Sequence, residues 1–318
     1  MRALSPRFKS FPWAISTAEA ARVAGIEPGA VLRFDGNTMP RPPSWAQPET
    51  IESALAGINT YAHGGHPQLL RAIANYARVE PEQVVLGAGA DDLIMLCARA
   101  FAAPGERVAV ADEPTYPVYR MGAWVAGAEV SDDVPVLTFC CRPHNPTGAL
   151  VDLPEARPLV VDEAYYEFAG ESAVDMLYDR VVVIRTFSKA FGLASARIGY
   201  ALADRDTADD LNARQQPAPV STLAVALALA GLAAPPDVTP VLEERARLAA
   251  RLSELGYETL PSFANFLFVP LSGAPAVADA LLRRGLLVRG YPEGIRITVR
   301  DAPDDDRLVE ALAAVVAR

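Results

Sequence analysis

From residue 84 onward, short β-branched apolar runs alternate with helical patterns, and that alternation leaves few folds open. Residues 84–86, 107–110, 136–140, 159–161, 181–184 and 197–202 read as strands. Several are apolar at every position instead of every second one, as expected of strands covered on both faces in a mainly parallel sheet. Between them, DDLIMLCARAF at 91–101 spaces its apolar residues helically behind acidic residues in the first turn, and 116–125 reads as a second helix. The last third differs: helical patterns at 241–255, 275–284 and 304–316 bracket or separate strands at 266–269, 286–289 and 295–299. The Pro235-Pro236 pair marks a boundary. The expected architecture is α/β, with a large domain over 37–233 and a smaller α+β domain over 234–318 that takes in the N-terminal segment 1–36.

The length of 318 residues and 51% hydrophobic content are ample for two such cores. A net charge of −10 excludes a broad electrostatic grip on nucleic acid, which requires a basic face to displace counterions. No apolar run reaches the roughly 18 residues of a membrane span, and the first residues lack an apolar signal core. Cys97, Cys140 and Cys141 do not make a disulfide framework, and His63, His66 and His144 show no zinc-ligand spacing. These features predict a soluble protein of a reducing compartment, the cytoplasm, with neither membrane, metal nor nucleic acid among its partners.

One imbalance bears on chemistry. Of 29 basic residues, 27 are arginine; the two lysines are Lys9 and Lys189. Arginine stays protonated, whereas lysine can lose its proton and act as a nucleophile. Ligands of parallel sheets sit at the carboxyl ends of strands. There the sequence places Gly87-Ala88-Gly89-Ala90-Asp91 opening a helix, His144-Asn145-Pro146-Thr147-Gly148, Asp162-Glu163-Ala164-Tyr165, and Arg185-Thr186-Phe187-Ser188-Lys189 followed by Arg197. Backbone N–H groups at a helix start, hydroxyls and an arginine suit a phosphate. A lysine amine condenses with an aldehyde, a fixed carboxylate holds a pyridine nitrogen protonated, and an amide and a phenol reach a ring hydroxyl. Together these parts describe a site for pyridoxal 5′-phosphate.

The ordered series GAGADD, PTY, HNPTG, DEAYYEF and TFSKAFGLASARIGY resembles fold-type I pyridoxal-phosphate enzymes of the class I/II aminotransferase family, above all its histidinol-phosphate aminotransferase-like branch. The resemblance runs from NTY at 59–61 to GIRITV at 294–299. It implies that Lys189 is the Schiff-base lysine and proton carrier, that Asp162 pairs with the pyridine nitrogen, and that Asn145 and Tyr165 tune the 3′-oxygen. By the same resemblance Tyr116 stacks on the ring, and Gly89, Ala90, Asp91, Thr186, Ser188 and Arg197 hold the phosphate. Arg296 binds the substrate carboxylate, with Arg289 and Asn37 beside the substrate. Tyr61 resembles the tyrosine that reaches a neighbouring subunit's site, which implies a homodimer.

The chain departs from the family where substrate is chosen. It is short at 130–136 and 148–159, so the helix that usually follows HNPTG is largely missing, and Asp35-Gly36-Asn37-Thr38-Met39-Pro40-Arg41 replaces the usual NENP segment. Arg300 stands where glycine is usual. The implied reaction is amino-group transfer between an L-amino acid, or histidinol phosphate or another anionic or aromatic donor, and a 2-oxo acid such as 2-oxoglutarate. Two other readings use the same residues: decarboxylation, as in threonine-phosphate decarboxylases, and a non-catalytic pyridoxal-phosphate-binding regulatory module. The acidic charge and the lack of a basic helix-turn-helix segment count against the second of these.

Overall fold

The structure is a computed structural model that describes residues 11, 13–62 and 64–316. In chain order it begins with α1 (Thr17–Ala24), β1 (Leu32–Arg33), α2 (Pro48–Ala56), α3 (Pro67–Ala77), β2 (Val84–Gly87) and α4 (Ala90–Phe101). Next come β3 (Arg107–Val110), α5 (Val118–Val125), β4 (Glu129–Val130), β5 (Leu137–Cys141), β6 (Leu159–Asp162) and α6 (Tyr166–Ala169). They are followed by β7 (Val181–Thr186), β8 (Gly199–Leu202), α7 (Arg205–Arg214), α8 (Thr222–Ala233) and α9 (Thr239–Glu254). The chain closes with β9 (Phe266–Pro270), α10 (Ala274–Leu282), β10 (Leu286–Leu287), β11 (Arg289–Tyr291), β12 (Gly294–Thr298) and α11 (Ala302–Val316).

These elements form two compact units. The larger holds residue 11, which the sequence reading placed with the small domain, and residues 41–144 and 151–236 around a seven-stranded sheet of order β2-β8-β7-β6-β5-β3-β4. Strands β7, β6, β5, β3 and β4 run parallel, and β8 lies antiparallel to both β2 and β7. Since β8 reverses direction twice over, β2 points the same way as β7, so the carboxyl ends of β2, β7, β6 and β5 share one edge. The continuous apolar runs follow from burial on both faces. Val161 and Val183 join a core with Leu69, Ile73 and Ala228 of α3 and α8. Their neighbours Val160, Val182 and Ile184 join a second core with Leu93, Ile94 and Tyr119 of α4 and α5. Each such side chain contributes about 1.5–3 kcal/mol.

The smaller unit holds residues 13–40, 145–150 and 237–316 of the described chain. It contains an antiparallel sheet β11-β12-β9 and a parallel pair β1-β10. Two of its segments fall inside the span expected for the large domain. Residues 37–40 lie with it because the Asn37 N–H donates to Thr298 Oγ1 at 2.9 Å and Asn265 Nδ2 donates to the Asn37 carbonyl at 3.1 Å. Residues 145–150 do so because the Phe263 N–H donates to the Gly148 carbonyl at 2.7 Å. Residues 1–10, placed with the small domain by the sequence reading, lie outside the described residues, as does His63.

Other differences are local. The helix expected over 116–125 starts at Val118, because Pro117 occupies its cap. The strand expected over 197–202 starts at Gly199, because Arg197 turns at φ 50°. The single strand expected over 286–289 divides, with β10 pairing β1 and β11 pairing β12. No helix occupies the segment between β5 and β6, in keeping with its shortness.

Candidate functional site

In the larger unit the shared carboxyl edge gathers a connected set of polar side chains. Asp162 ends β6 and is 3% exposed. Its Oδ2 accepts from Tyr119 Oη at 2.6 Å, and its Oδ1 accepts from the Ala164 N–H at 3.0 Å. Burial pushes its pKa up to about 6, against the lowering pull of the Tyr119 and Ala164 hydrogen bonds; Asp91 raises it further and Lys189 lowers it. Lys189 follows β7, is the one lysine among the described residues, and carries Nζ 5.8 Å from the centre of the Tyr165 ring.

A second group surrounds the start of α4. Gly89 caps that helix at φ +84° and brings no side chain of its own to the first-turn N–H groups. A Cβ at Gly89 would stand 2.8 Å from Arg197 Nη2, so glycine lets the guanidinium approach the turn. Arg197 donates to Asp91 Oδ2 at 3.0 Å and to Ser188 Oγ at 3.4 Å. Ser188 Oγ accepts from Thr186 Oγ1 at 2.9 Å, and the Ser188 N–H donates to Thr186 Oγ1 at 3.1 Å. Tyr116 donates to Asp91 Oδ1 at 2.8 Å; burial first, then Asp91, lift its phenol pKa and keep it protonated. A glycine-capped helix start, two hydroxyls and an arginine form an anion cradle, and a buried carboxylate and an amine complete the set. This donor chemistry fits pyridoxal 5′-phosphate, with Gly89, Ala90, Asp91, Thr186, Ser188 and Arg197 toward its phosphate and Asp162 toward its ring nitrogen.

In the smaller unit Arg296 of β12 is buried, donating to Asn145 Oδ1 at 2.5 Å, to the Asp35 carbonyl at 2.6 Å and to Tyr291 Oη at 3.4 Å. Its Nε is buried with no hydrogen-bond partner among the described residues. Arg289 of β11 stands directly opposite Arg296 in the strand register. Like charges in such a pair repel, so an anion bound to them is favoured. Asn37 is buried as well, with Oδ1 accepting from Thr298 Oγ1 at 3.0 Å.

Tyr61 is 82% exposed, and no hydrogen bond or ring contact among the described residues ties it to either group. His144 is buried with Nε2 2.8 Å from the Asp112 carbonyl; burial lowers its pKa, consistent with a neutral turn residue.

One participant, Tyr119, escaped the sequence reading. It lies one helical turn beyond Tyr116, and only that i, i+3 spacing hints that both face the sheet. Glu163, next to Asp162, points into a buried network instead. It pairs with Arg185 Nε at 3.0 Å and accepts from the Ala173 N–H at 2.6 Å, while the Arg185 guanidinium lies 3.5 Å over the Tyr166 ring.

The family described as aminotransferase class I and II matches residues 30–135 and 131–312. Histidinol-phosphate aminotransferase 2 of Pseudomonas aeruginosa is 35% identical over 94% of this chain and 93% of its own length. The histidinol-phosphate aminotransferase of Nitratidesulfovibrio vulgaris is 33% identical over 90% and 89%. Among solved structures, histidinol-phosphate aminotransferase from Sinorhizobium meliloti, in complex with pyridoxal-5′-phosphate, superposes with a TM-score of 0.85 at 25% identity, covering 100% of this chain and 98% of that one. On sequence and fold together, the chain belongs to the class I and II aminotransferases.

Proposed function

We propose that this protein is a pyridoxal 5′-phosphate-dependent aminotransferase that exchanges an amino group between a 2-oxo acid such as 2-oxoglutarate and an anionic donor, with histidinol phosphate the leading candidate. The observation that carries this reading is the buried Asp162 at the end of β6, in one unit with Lys189 and the anion cradle of Gly89, Ser188 and Arg197. When bound, pyridoxal phosphate supplies an aldehyde carbon that takes up amines and a ring that delocalises the electron pair left when a bond to the substrate α-carbon breaks.

This chain's own residues then have distinct tasks. Lys189 Nζ would provide the amine that holds the cofactor and would serve as the general base and acid that moves the proton of the substrate Cα. Asp162 keeps the ring nitrogen protonated from a site sheltered from water. Asn145 and Tyr165 hydrogen-bond the 3′-oxygen, and Tyr116 covers the ring face. Arg197, Ser188, Thr186 and the first N–H groups of α4 bind the phosphate. Arg296 takes the α-carboxylate of glutamate through its guanidinium fork, and Arg289 beside it adds charge for a phosphate-bearing donor, with Asn37 fixing the backbone next to it.

Tyr61, exposed on the single chain, serves a neighbouring subunit's site in a homodimer, and the enzyme works in the cytoplasm. The identity of the relatives supports the donor class; the replaced segment at 35–41 is where a different donor would be selected.

The test is to screen amino donors, histidinol phosphate among them, against 2-oxoglutarate while measuring both glutamate and carbon dioxide. Glutamate formed in step with donor loss, without carbon dioxide, is expected. Carbon dioxide without glutamate makes the protein a decarboxylase, and neither product from any donor makes it a binding module.

A further inference from the structure

Tyr119 of the larger unit donates a hydrogen bond to Asp162, and nothing in the sequence pattern assigned it a task. It lies on α5, 1% exposed, stacked on Phe139 of β5 at 5.4 Å between ring centres with an interplanar angle of 17°. Tyr116 meets its edge at 5.9 Å. The ring is therefore clamped, and its hydroxyl is aimed at one carboxylate oxygen at 2.6 Å. The other oxygen takes the Ala164 N–H. Each oxygen has a remaining lone pair, so both bonds persist when a third donor reaches the carboxylate.

We propose that Tyr119 is a positioning residue that keeps Asp162 ionised, so that the proton shared between Asp162 and the cofactor's ring nitrogen resides on nitrogen. The physical reason is a competition. The proton can sit on nitrogen, giving an ion pair, or on the carboxyl, giving a neutral pair, and a buried site favours the neutral pair. Hydrogen bonds that only an ionised carboxylate accepts well tip the balance toward the ion pair. Burial holds the Tyr119 phenol far above its ordinary range, with Asp162 adding to the effect, so it stays a donor throughout the working pH range. The Tyr119 bond is also the largest influence opposing burial at Asp162. Cys141, at the end of β5, also neighbours the Tyr119 hydroxyl, and its own Sγ donates to the Pro143 carbonyl at 3.3 Å.

This inference rests on the assignment of Asp162 to the ring nitrogen, and the experiment separates the two. Purified holoenzyme is loaded with pyridoxal phosphate labelled with 15N in the ring, and the 15N resonance is followed with pH in wild type, Tyr119→Phe and Asp162→Asn. Wild type should show a protonated nitrogen, and Asp162→Asn an unprotonated one. Tyr119→Phe should move the resonance toward the unprotonated position, with the midpoint lower by about one pH unit, which corresponds to about a tenfold change in the proton equilibrium. Apoprotein of Tyr119→Phe should bind the cofactor about tenfold more weakly. If Asp162→Asn shifts the resonance and Tyr119→Phe leaves it at the wild-type position, the role of Tyr119 is refuted. If neither variant moves it, the assignment of Asp162 fails first. Should Tyr119→Phe not fold, a site-specific fluorotyrosine at 119, a stronger donor of nearly the same shape, must raise the midpoint; an unchanged midpoint overturns the inference.

Discussion

The proposed role of Asp162 requires an ionised carboxylate where burial disfavours ionisation, and the hydrogen bonds it accepts oppose that effect of burial. Its hydrogen bonds come from a clamped phenol and a backbone N–H, two donors with little freedom to leave. Arg296 is set differently, with three acceptors holding its terminal nitrogens and no hydrogen-bond partner for Nε among the described residues. Arg296→Lys keeps the charge and loses the fork, so KM for glutamate should rise about tenfold with a smaller change in kcat. Steady-state kinetics check this, and an unchanged KM would remove Arg296 from the carboxylate site. Lys189→Ala should lower kcat by about 10²–10⁴-fold or more through loss of the proton carrier, read in single-turnover assays.

At the scale of elements, Gly199 at the start of β8 shows how tightly strand and cradle are joined. A Cβ there would lie 2.8 Å from the Arg185 carbonyl and 3.1 Å from the Gly89 backbone, and neither can step aside cheaply. Gly199→Ala should cost about 1–3 kcal/mol and weaken cofactor binding along with stability, measured by thermal melts with and without pyridoxal phosphate. In the smaller unit, α11 buries Asp305 completely; burial first, and then a hydrogen bond shared with Glu244 of α9, push its pKa up to about 8. The Arg300 N–H donates to both Asp305 oxygens, and Arg247 pairs with Glu244 and Asp306 nearby. The unfolded chain releases that proton near about pH 4. Between about pH 4 and 8 the folded state therefore holds more protons than the unfolded one, and stability falls as pH rises through that window. Asp305→Asn should flatten this slope, moving the melting temperature by several °C at most between about pH 5 and pH 8.5. A slope equal to that of wild type would contradict the assignment.

For the whole molecule, what was legible in the sequence was what one segment decides by itself. The strands β5, β6 and β7 were readable because burial on both faces forces continuous apolar runs, and the residues at their ends followed from the parallel topology. What depends on distant partners was not readable. Nothing near Asn37 says that Thr298 and Asn265 draw it into the smaller unit, and Val288 gives no sign that β10 and β11 part there to join different sheets. Tyr119 was hidden for the same reason, since a helical tyrosine beside apolar residues reads as core until Asp162 is placed against it.

The central claim is a covalent one, and the scarcity of lysine makes it sharply testable. Protein incubated with pyridoxal phosphate is reduced with borohydride, digested, and mapped by mass spectrometry. The pyridoxyl mass should appear on the peptide containing Lys189, at one group per chain, and vanish in Lys189→Ala. Label found on Lys9 or the amino terminus, with none on Lys189, would contradict the assignment of the active-site amine.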